Sequence, residues 1–141
     1  MSERRSLDSD VIGLGHVALR VADMAVARRF YEDLLGFEPM WVPDAEHAYL
    51  ASPSRRDNLA LHLRDPRSPV PDQENRAVDH IGIFLRTKES VTRWCERLES
   101  AGALILRPVR DHRDGSRSFY VADPDGNVVQ MLFEPNVADT A

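Results

Sequence analysis

Hydrophobic and polar residues alternate along several short segments, and a period of two predicts β-strands. In residues 11–21 one face carries valine and leucine, while the other carries His16, Ala18 and Arg20. Runs rich in β-branched and aromatic residues predict further strands. These strands are expected over residues 37–42, 46–51, 58–63, 78–85 and 103–109, followed by a hairpin over 118–132.

Two segments change to the helical period of 3.6 residues. After Asp23, which can cap a helix N-terminus, apolar residues recur at helical spacing until Gly36, which can adopt the left-handed stop conformation. Thr87 can cap a second helix, and Gly102 is expected to end it. The apolar stripes are Ala27, Phe30, Tyr31, Leu34 and Leu35 in the first helix, and Val91, Trp94, Cys95 and Leu98 in the second.

The hairpin holds the most informative polar residue. Pro124 and Gly126 give the segment Asp123 to Gly126 the chemistry of a tight turn. Gln130 then interrupts an otherwise apolar strand. A buried amide needs a hydrogen-bond partner or a ligand, so Gln130 is a candidate functional residue.

The two halves of the chain repeat the order strand, helix, glycine, three strands. The predicted fold is therefore α+β, with two βαβββ modules that form a concave mixed sheet. The first module is expected over residues 11–63 and the second over 78–134, with a proline-rich linker at 64–77. Residues 1–10 are predicted to be a disordered lead-in, and 135–141 a tail.

The duplication brings equivalent positions together. His16 and His80 occupy the same place on the first strand of each half. Aligning segment 58–61 with 127–130 makes Leu61 the counterpart of Gln130, so these four side chains are expected to converge in one hollow. His62 then points the other way, towards a helix, unless the register slips by one residue.

Composition excludes some functions and limits others. The 141 residues carry a formal charge of −5 and no Lys/Arg-rich run, which disfavours a nucleic-acid binder. The 43% hydrophobic and 29% charged residues indicate a globular protein, and no apolar run approaches the length of a membrane helix. A single cysteine, Cys95, cannot form an intramolecular disulfide, which favours a cytoplasmic location. The N-terminus has no hydrophobic signal-peptide region.

Four motifs resemble the vicinal oxygen chelate superfamily, which includes glyoxalase I, extradiol dioxygenases, fosfomycin-resistance thiol transferases and bleomycin-binding proteins. They are GHVALRV at 15–21, RRFYEDLLGF at 28–37, DHIGIFL at 79–85 and SFYVADPDGNVVQML at 118–132. The resemblance extends over nearly the whole chain. It implies the paired-module fold, but one scaffold carries several chemistries in this superfamily.

The resemblance implies a divalent metal site. His16 and His80 match the two histidine ligands, and Gln130 lies where the family usually has Glu. Leu61 lies where glyoxalases have a fourth, carboxylate ligand, so the pattern is closer to the three-ligand extradiol site. Tyr120 matches a tyrosine beside the bound catechol, and His112 is similar to a loop histidine of those enzymes; both are candidate catalytic residues.

Two functions remain open at this stage. The first is a metal-dependent enzyme that chelates vicinal substrate oxygens, more similar to extradiol dioxygenases than to glyoxalases, with Fe²⁺ or Mn²⁺ preferred and Zn²⁺ or Ni²⁺ as alternatives. The second is a metal-free protein that sequesters a small molecule, as bleomycin-resistance proteins do. The amide at Gln130 removes one negative charge from the site and favours the second. The resemblance also implies a homodimer, with modules paired within one chain or across two.

Overall fold

The computed structural model describes residues 10–136, so most of the predicted lead-in and tail lies outside the described residues. None of the described helices is long and apolar enough to cross a membrane. The first module contains β1 (Val17–Val21), α1 (Met24–Arg28, continued by a π-helix over Arg29–Leu34), β2 (Glu38–Asp44), β3 (His47–Ala51) and β4 (Leu59–Leu63). A 3₁₀ turn follows at Gln73–Asn75. The second module contains β5 (Ile81–Phe84), α2 (Lys88–Ser100), β6 (Leu104–Asp111), β7 (Arg117–Ala122) and β8 (Val128–Phe133).

Each module builds one four-stranded mixed sheet, and the two sheets have the same topology. Their strand orders are β1-β4-β3-β2 and β5-β8-β7-β6. In each sheet the first strand runs parallel to the last one, and the other neighbours are antiparallel. The predicted α+β fold of two βαβββ modules is therefore confirmed.

The first strand is shorter than the sequence predicts. Residues 11–16 are not part of it, and Val11 and Ile12 are exposed. The partner strand explains this difference, because β4 begins only at Leu59, which lies opposite Val17. Without a neighbouring strand, the residues before Val17 have no ladder of backbone hydrogen bonds to join.

The first helix begins and ends where the sequence predicts. The Asp23 carboxylate accepts a hydrogen bond from the Val26 backbone N–H at 3.0 Å and thereby caps the N-terminus. At the other end Gly36 has a φ of +82°, which only glycine adopts at low cost. The half-buried Arg28 guanidinium pairs with the Glu32 carboxylate one turn along the helix.

One hydrophobic core joins the helices to the sheets. Alternate strand residues point into it, together with the stripes of α1 and α2. Each fully buried leucine or valine contributes roughly 1.5–3 kcal/mol relative to its exposed state. The largest fully buried side chains of this core are Tyr31, Phe119, Leu50, Leu61, Leu98 and Met131.

A buried carboxylate joins the modules at the hairpin turn. Asp123 is 4% exposed, and its Oδ2 accepts hydrogen bonds from the Tyr31 hydroxyl at 2.7 Å and from the Asn127 side-chain amide at 2.9 Å. Its Oδ1 accepts the backbone N–H groups of Asp125 and Asn127 at 2.9 and 2.8 Å. Burial, followed by the charge of Asp123, holds the pKa of the Tyr31 phenol well above its ordinary value, so the phenol remains a donor.

Two further contacts secure the same junction. The Asp125 carboxylate accepts the backbone N–H of Ala22, the residue after β1, at 2.8 Å. Arg76, in the predicted linker, donates to the Asp125 carbonyl at 3.0 Å and to the Asn127 side-chain oxygen at 3.1 Å. The end of the linker is therefore bound to the second module through a charged side chain.

We expect Tyr31→Phe to lower the free energy of unfolding by about 1–3 kcal/mol, because it removes one donor from a buried, charged acceptor. Urea denaturation measures this loss. Tyr49→Phe is the control, since the Tyr49 hydroxyl has no hydrogen-bond partner among the described residues. Equal stability of the Tyr31 variant and the wild type would show that the bond to Asp123 does not hold the modules together.

Candidate functional site

Strand alternation divides each sheet into a helix-packed face and an opposite face, which we call the open face. In the second module, Arg117 is on the helix side, where its guanidinium contacts the Thr92 hydroxyl at 3.2 Å. Its strand neighbours Ser118 and Tyr120 therefore belong to the open face. Gln130 lies directly opposite Tyr120 and Gly82 on the two adjacent strands, so it shares that face.

Four predicted or newly found polar side chains meet on the open face of the second module. The His80 and Tyr120 rings lie edge to face, with centroids 5.5 Å apart. Tyr120 is in turn opposite Gln130 on β8 and opposite Arg107 on β6. The structure thus brings together His80, Tyr120 and Gln130, three of the residues predicted from the sequence.

The orientation of His80 is set by its sequence neighbour. Its Nδ1 lies 2.7 Å from the Asp79 carboxylate. With the proton on Nδ1 shared with this carboxylate, Nε2 keeps a free lone pair. The Gln130 amide has no hydrogen bond with any other described residue. Both side chains therefore retain atoms that can bind a ligand.

His112 reaches the same face from the loop after β6. Its Nε2 lies 2.9 Å from the Ser118 hydroxyl, and Ser118 is 2% exposed. Ser118 and Tyr120 are two residues apart on β7, so their side chains are neighbours on the same face. The hydrogen bond to Ser118 therefore holds the His112 ring near the tyrosine. The charged loop therefore places this predicted catalytic candidate beside the site.

His16 lies apart from this cluster. It immediately precedes β1 and is exposed. Among the described residues it makes no hydrogen bond, ion pair or ring contact. A metal site that includes His16 with His80 and Gln130 therefore stays a prediction.

The expectation for Leu61 is wrong by one residue. Leu61 is fully buried opposite Leu19 in the core, on the helix side of the sheet. The counterpart of the pair Gly82 and Gln130 is the pair Ala18 and Ala60, because Ala18 follows His16 by two residues, as Gly82 follows His80. The sequence alignment of the fourth strands was shifted by one position, and such a shift exchanges the faces.

His62 lies on the open face, two residues after Ala60, and not on the helix side as expected. Its ring centroid lies 5.0 Å from that of His47, directly opposite on β3, and 6.2 Å from that of Tyr49. The Nδ1 of His47 lies 2.8 Å from the Asp44 carboxylate, and this hydrogen bond is the main cause that lowers the pKa of Asp44. Trp41 stacks on Tyr49 with centroids 5.3 Å apart. The alternation along β4 is compatible with this face for His62, but the prediction assigned the open face to Leu61.

A separate cavity of about 680 Å³ lies at the module junction, between α1 and the hairpin turn. Phe30, Leu34 and Leu104 form much of its apolar lining, and Arg29 and Asp33 add charges. None of the predicted site residues lines it. Its position therefore gives no support to the predicted chemistry.

Both modules thus present imidazole and phenol groups on the open faces of their sheets, and the second module adds the amide of Gln130. The family model of the Glyoxalase/Bleomycin resistance protein/Dioxygenase superfamily matches residues 13–131, and the chain belongs to this superfamily. Its members typically use divalent metals.

Individual relatives carry different names. A trivalent organoarsenical cleaving enzyme from Bacillus sp. (strain MD1) is 31% identical over 128 residues, which are 84% of this chain and 71% of that protein. A 2,2',3-trihydroxybiphenyl dioxygenase from Sphingomonas paucimobilis is 29% identical over 127 residues. That match covers 87% of this chain but 42% of the dioxygenase, so the chain spans less than half of that relative.

The solved structures support the fold. A glyoxylase/bleomycin resistance protein/dioxygenase domain from Frankia sp. superposes with a TM-score of 0.77 at 19% identity. The match covers 89% of this chain and 99% of that one. At this identity the likeness establishes the architecture alone.

We expect Leu61→Ala to lower the free energy of unfolding by about 2–5 kcal/mol, because it leaves a cavity in the core. His62→Ala is the matched change on the neighbouring residue and should cost about 1 kcal/mol or less, since the ring lies on the open face. Urea denaturation of both variants measures the difference. The reverse order of costs would restore the original assignment of the two faces.

Proposed function

We propose that the chain is a metal-dependent enzyme that acts on a small molecule with vicinal oxygens, bound on the open face. The observation that carries this proposal is the contact of His80 with Tyr120, directly opposite Gln130. These residues stand at the positions that the superfamily resemblance assigns to the metal and the substrate.

The candidate ligand atoms are of types that bind divalent cations, but none of them carries a negative charge. His80 keeps Nε2 free through its bond to Asp79, which is the outer-shell arrangement common for metal-binding histidine. Gln130 offers a neutral oxygen, and His16 would supply the second imidazole. Two imidazoles and one amide leave the charge of a dication uncompensated, so we expect weak binding. A bound metal would act as a Lewis acid towards the vicinal oxygens.

The first module favours the three-ligand, extradiol-like site over the four-ligand glyoxalase site. Ala60, the counterpart of Gln130, has no metal-binding atom, and Leu61 is buried in the core. The Tyr120 hydroxyl can then donate a hydrogen bond to a substrate oxygen and so orient the substrate. His112, which is hydrogen-bonded to Ser118 on the same face as Tyr120, can serve as a proton donor or acceptor.

A metal-free binding protein is the second candidate. The neutral Gln130 favours it, because the site lacks the carboxylate that would hold a cation. Among the described residues, no group of three His, Cys, Asp or Glu side chains is arranged to hold a metal ion. The same open face would then bind a small molecule without converting it.

We also propose that two copies of the chain pair through their open faces. A cytoplasmic location is a separate part of the proposal and rests on the single cysteine. Trp41 and Phe84 lie on the open faces and are 62% and 59% exposed. Large apolar side chains at such positions are typical of a surface that a partner covers. His16, which forms no hydrogen bond, ion pair or ring contact among the described residues, would then complete the site of the partner subunit.

We expect Gln130→Glu to raise the affinity for Mn²⁺ or Fe²⁺ by about tenfold or more, roughly 1.4 kcal/mol, because a carboxylate compensates the charge of the metal. Isothermal titration calorimetry of Mn²⁺ measures the change. Gln73→Glu, in the 3₁₀ turn of the linker, adds the same charge away from the site and should leave the affinity unchanged.

The same proteins test the enzyme proposal directly. We expect the wild type, reconstituted with Fe²⁺ without oxygen and then exposed to air, to cleave a member of a catechol panel, and the Gln130 variant to do so faster. Metal content of protein purified without chelator is measured in parallel. Binding of catechols with neither metal nor turnover in either protein would favour the sequestration function instead.

A site shared between chains predicts complementation. In the Gln130→Glu background, His16→Ala and His80→Ala should each abolish Mn²⁺ binding, while a refolded equimolar mixture regains about a quarter of the sites, since half of its dimers are mixed and each has one intact site of two. Titration with Mn²⁺ and light scattering measure sites and mass. A mixture with no recovered sites would place both histidines within one chain.

A further inference from the structure

Arg107 is positioned beside the candidate site by an aromatic ring. It lies on the edge strand β6, directly opposite Tyr120, and its guanidinium carbon is 5.4 Å from the centre of the tyrosine ring. Such a cation–π contact limits the freedom of the long side chain. Because His80 contacts the same ring and Gln130 lies opposite it, the guanidinium is held next to the proposed ligand-binding groups.

No carboxylate neutralises this guanidinium among the described residues. Four other arginines are paired with carboxylates: Arg28 with Glu32, Arg55 with Glu38, Arg67 with Asp65 and Arg117 with Asp111. Two more arginines without a described carboxylate partner occupy the open faces, Arg20 opposite His62 and Arg110 opposite Ser118. Three guanidinium groups without a described carboxylate partner therefore lie on the open faces.

Two carboxylates next to the candidate histidines are engaged in hydrogen bonds. Asp44 and Asp79 are bonded to the imidazoles of His47 and His80. Gln130, directly opposite Tyr120 in the proposed site, is neutral. The Arg107 guanidinium thus stays without a carboxylate partner among the described residues, in a chain whose formal charge is −5. A guanidinium without a partner, held beside the proposed ligand-binding groups, favours ligands of negative charge.

We propose that the small molecule bound on the open face is an organic anion, and that Arg107 recognises its negative group. This inference rests on the proposed small-molecule site and adds its charge class. The planar guanidinium provides several N–H donors for a carboxylate or phosphonate, and its contact with Tyr120 leaves those donors free. Recognition of the charge is independent of any metal.

The test compares benzoate with benzamide, which have the same ring and differ in charge. Binding is followed by NMR titration through the backbone amides of Tyr120 and Gln130, without metal. We expect benzoate to bind the wild type about tenfold or more tightly than benzamide, as a charge-assisted hydrogen bond would give. Arg107→Gln should bring this ratio close to one, and Arg107→Lys should give an intermediate ratio.

Arg97→Gln is the matched control. Its guanidinium also lies over an aromatic ring, 4.7 Å from the centre of Trp94, but on α2 and away from the open face. It should leave the benzoate preference unchanged. Equal binding of the two probes by the wild type, no response to benzoate at Tyr120 and Gln130, or an unchanged ratio in Arg107→Gln would each overturn the proposal. Failure to bind metal or cleave catechols would leave the ratio intact and would count against the enzyme proposal alone.

Discussion

The buried carboxylate of Asp123 is the interaction on which the arrangement of the modules depends. It lies at the turn between β7 and β8, and it accepts the hydroxyl of Tyr31 from the other module. A carboxylate that is 4% exposed is costly unless all of its acceptor sites are used, and here four donors use them. The turn that orders the Gln130 strand therefore also fixes helix α1. The site and the module junction are two consequences of one hairpin.

This coupling explains why the hairpin is so informative in the sequence. Its proline and glycine define the turn, its alternation defines the two faces of β7 and β8, and its acidic residues bind the first module. Asp125 adds to the same junction by accepting the Ala22 N–H, and burial raises the pKa of its carboxyl group. Protonation at low pH thus relieves the cost of burial but weakens the acceptor for Ala22. The turn is a structural joint as well as a connection.

The sequence was sufficient for the architecture, because periods of 2 and 3.6 residues and two glycine stops recur in both halves. It was also sufficient for the open face of the second module, where Tyr120 and Gln130 are opposite neighbours. It failed in β4, because the alignment of this short strand with β8 was shifted by one residue, which assigned Leu61 to the open face and His62 to the helix side. Arg107 was missed for another reason: a bulge in β6 interrupts the alternation around it.

The neutral side chain of Gln130 affects both the proposed metal site and the proposed anion site. A carboxylate there would attract a cation and partly neutralise Arg107, whereas an amide does neither. Compared with a carboxylate, the amide would therefore weaken the proposed binding of a cation and strengthen the proposed attraction for an anionic ligand. The two effects need not conflict, because an anionic substrate brings the missing negative charge to the site. In that case a cation and the substrate would bind cooperatively, with the substrate replacing the charge that Gln130 lacks.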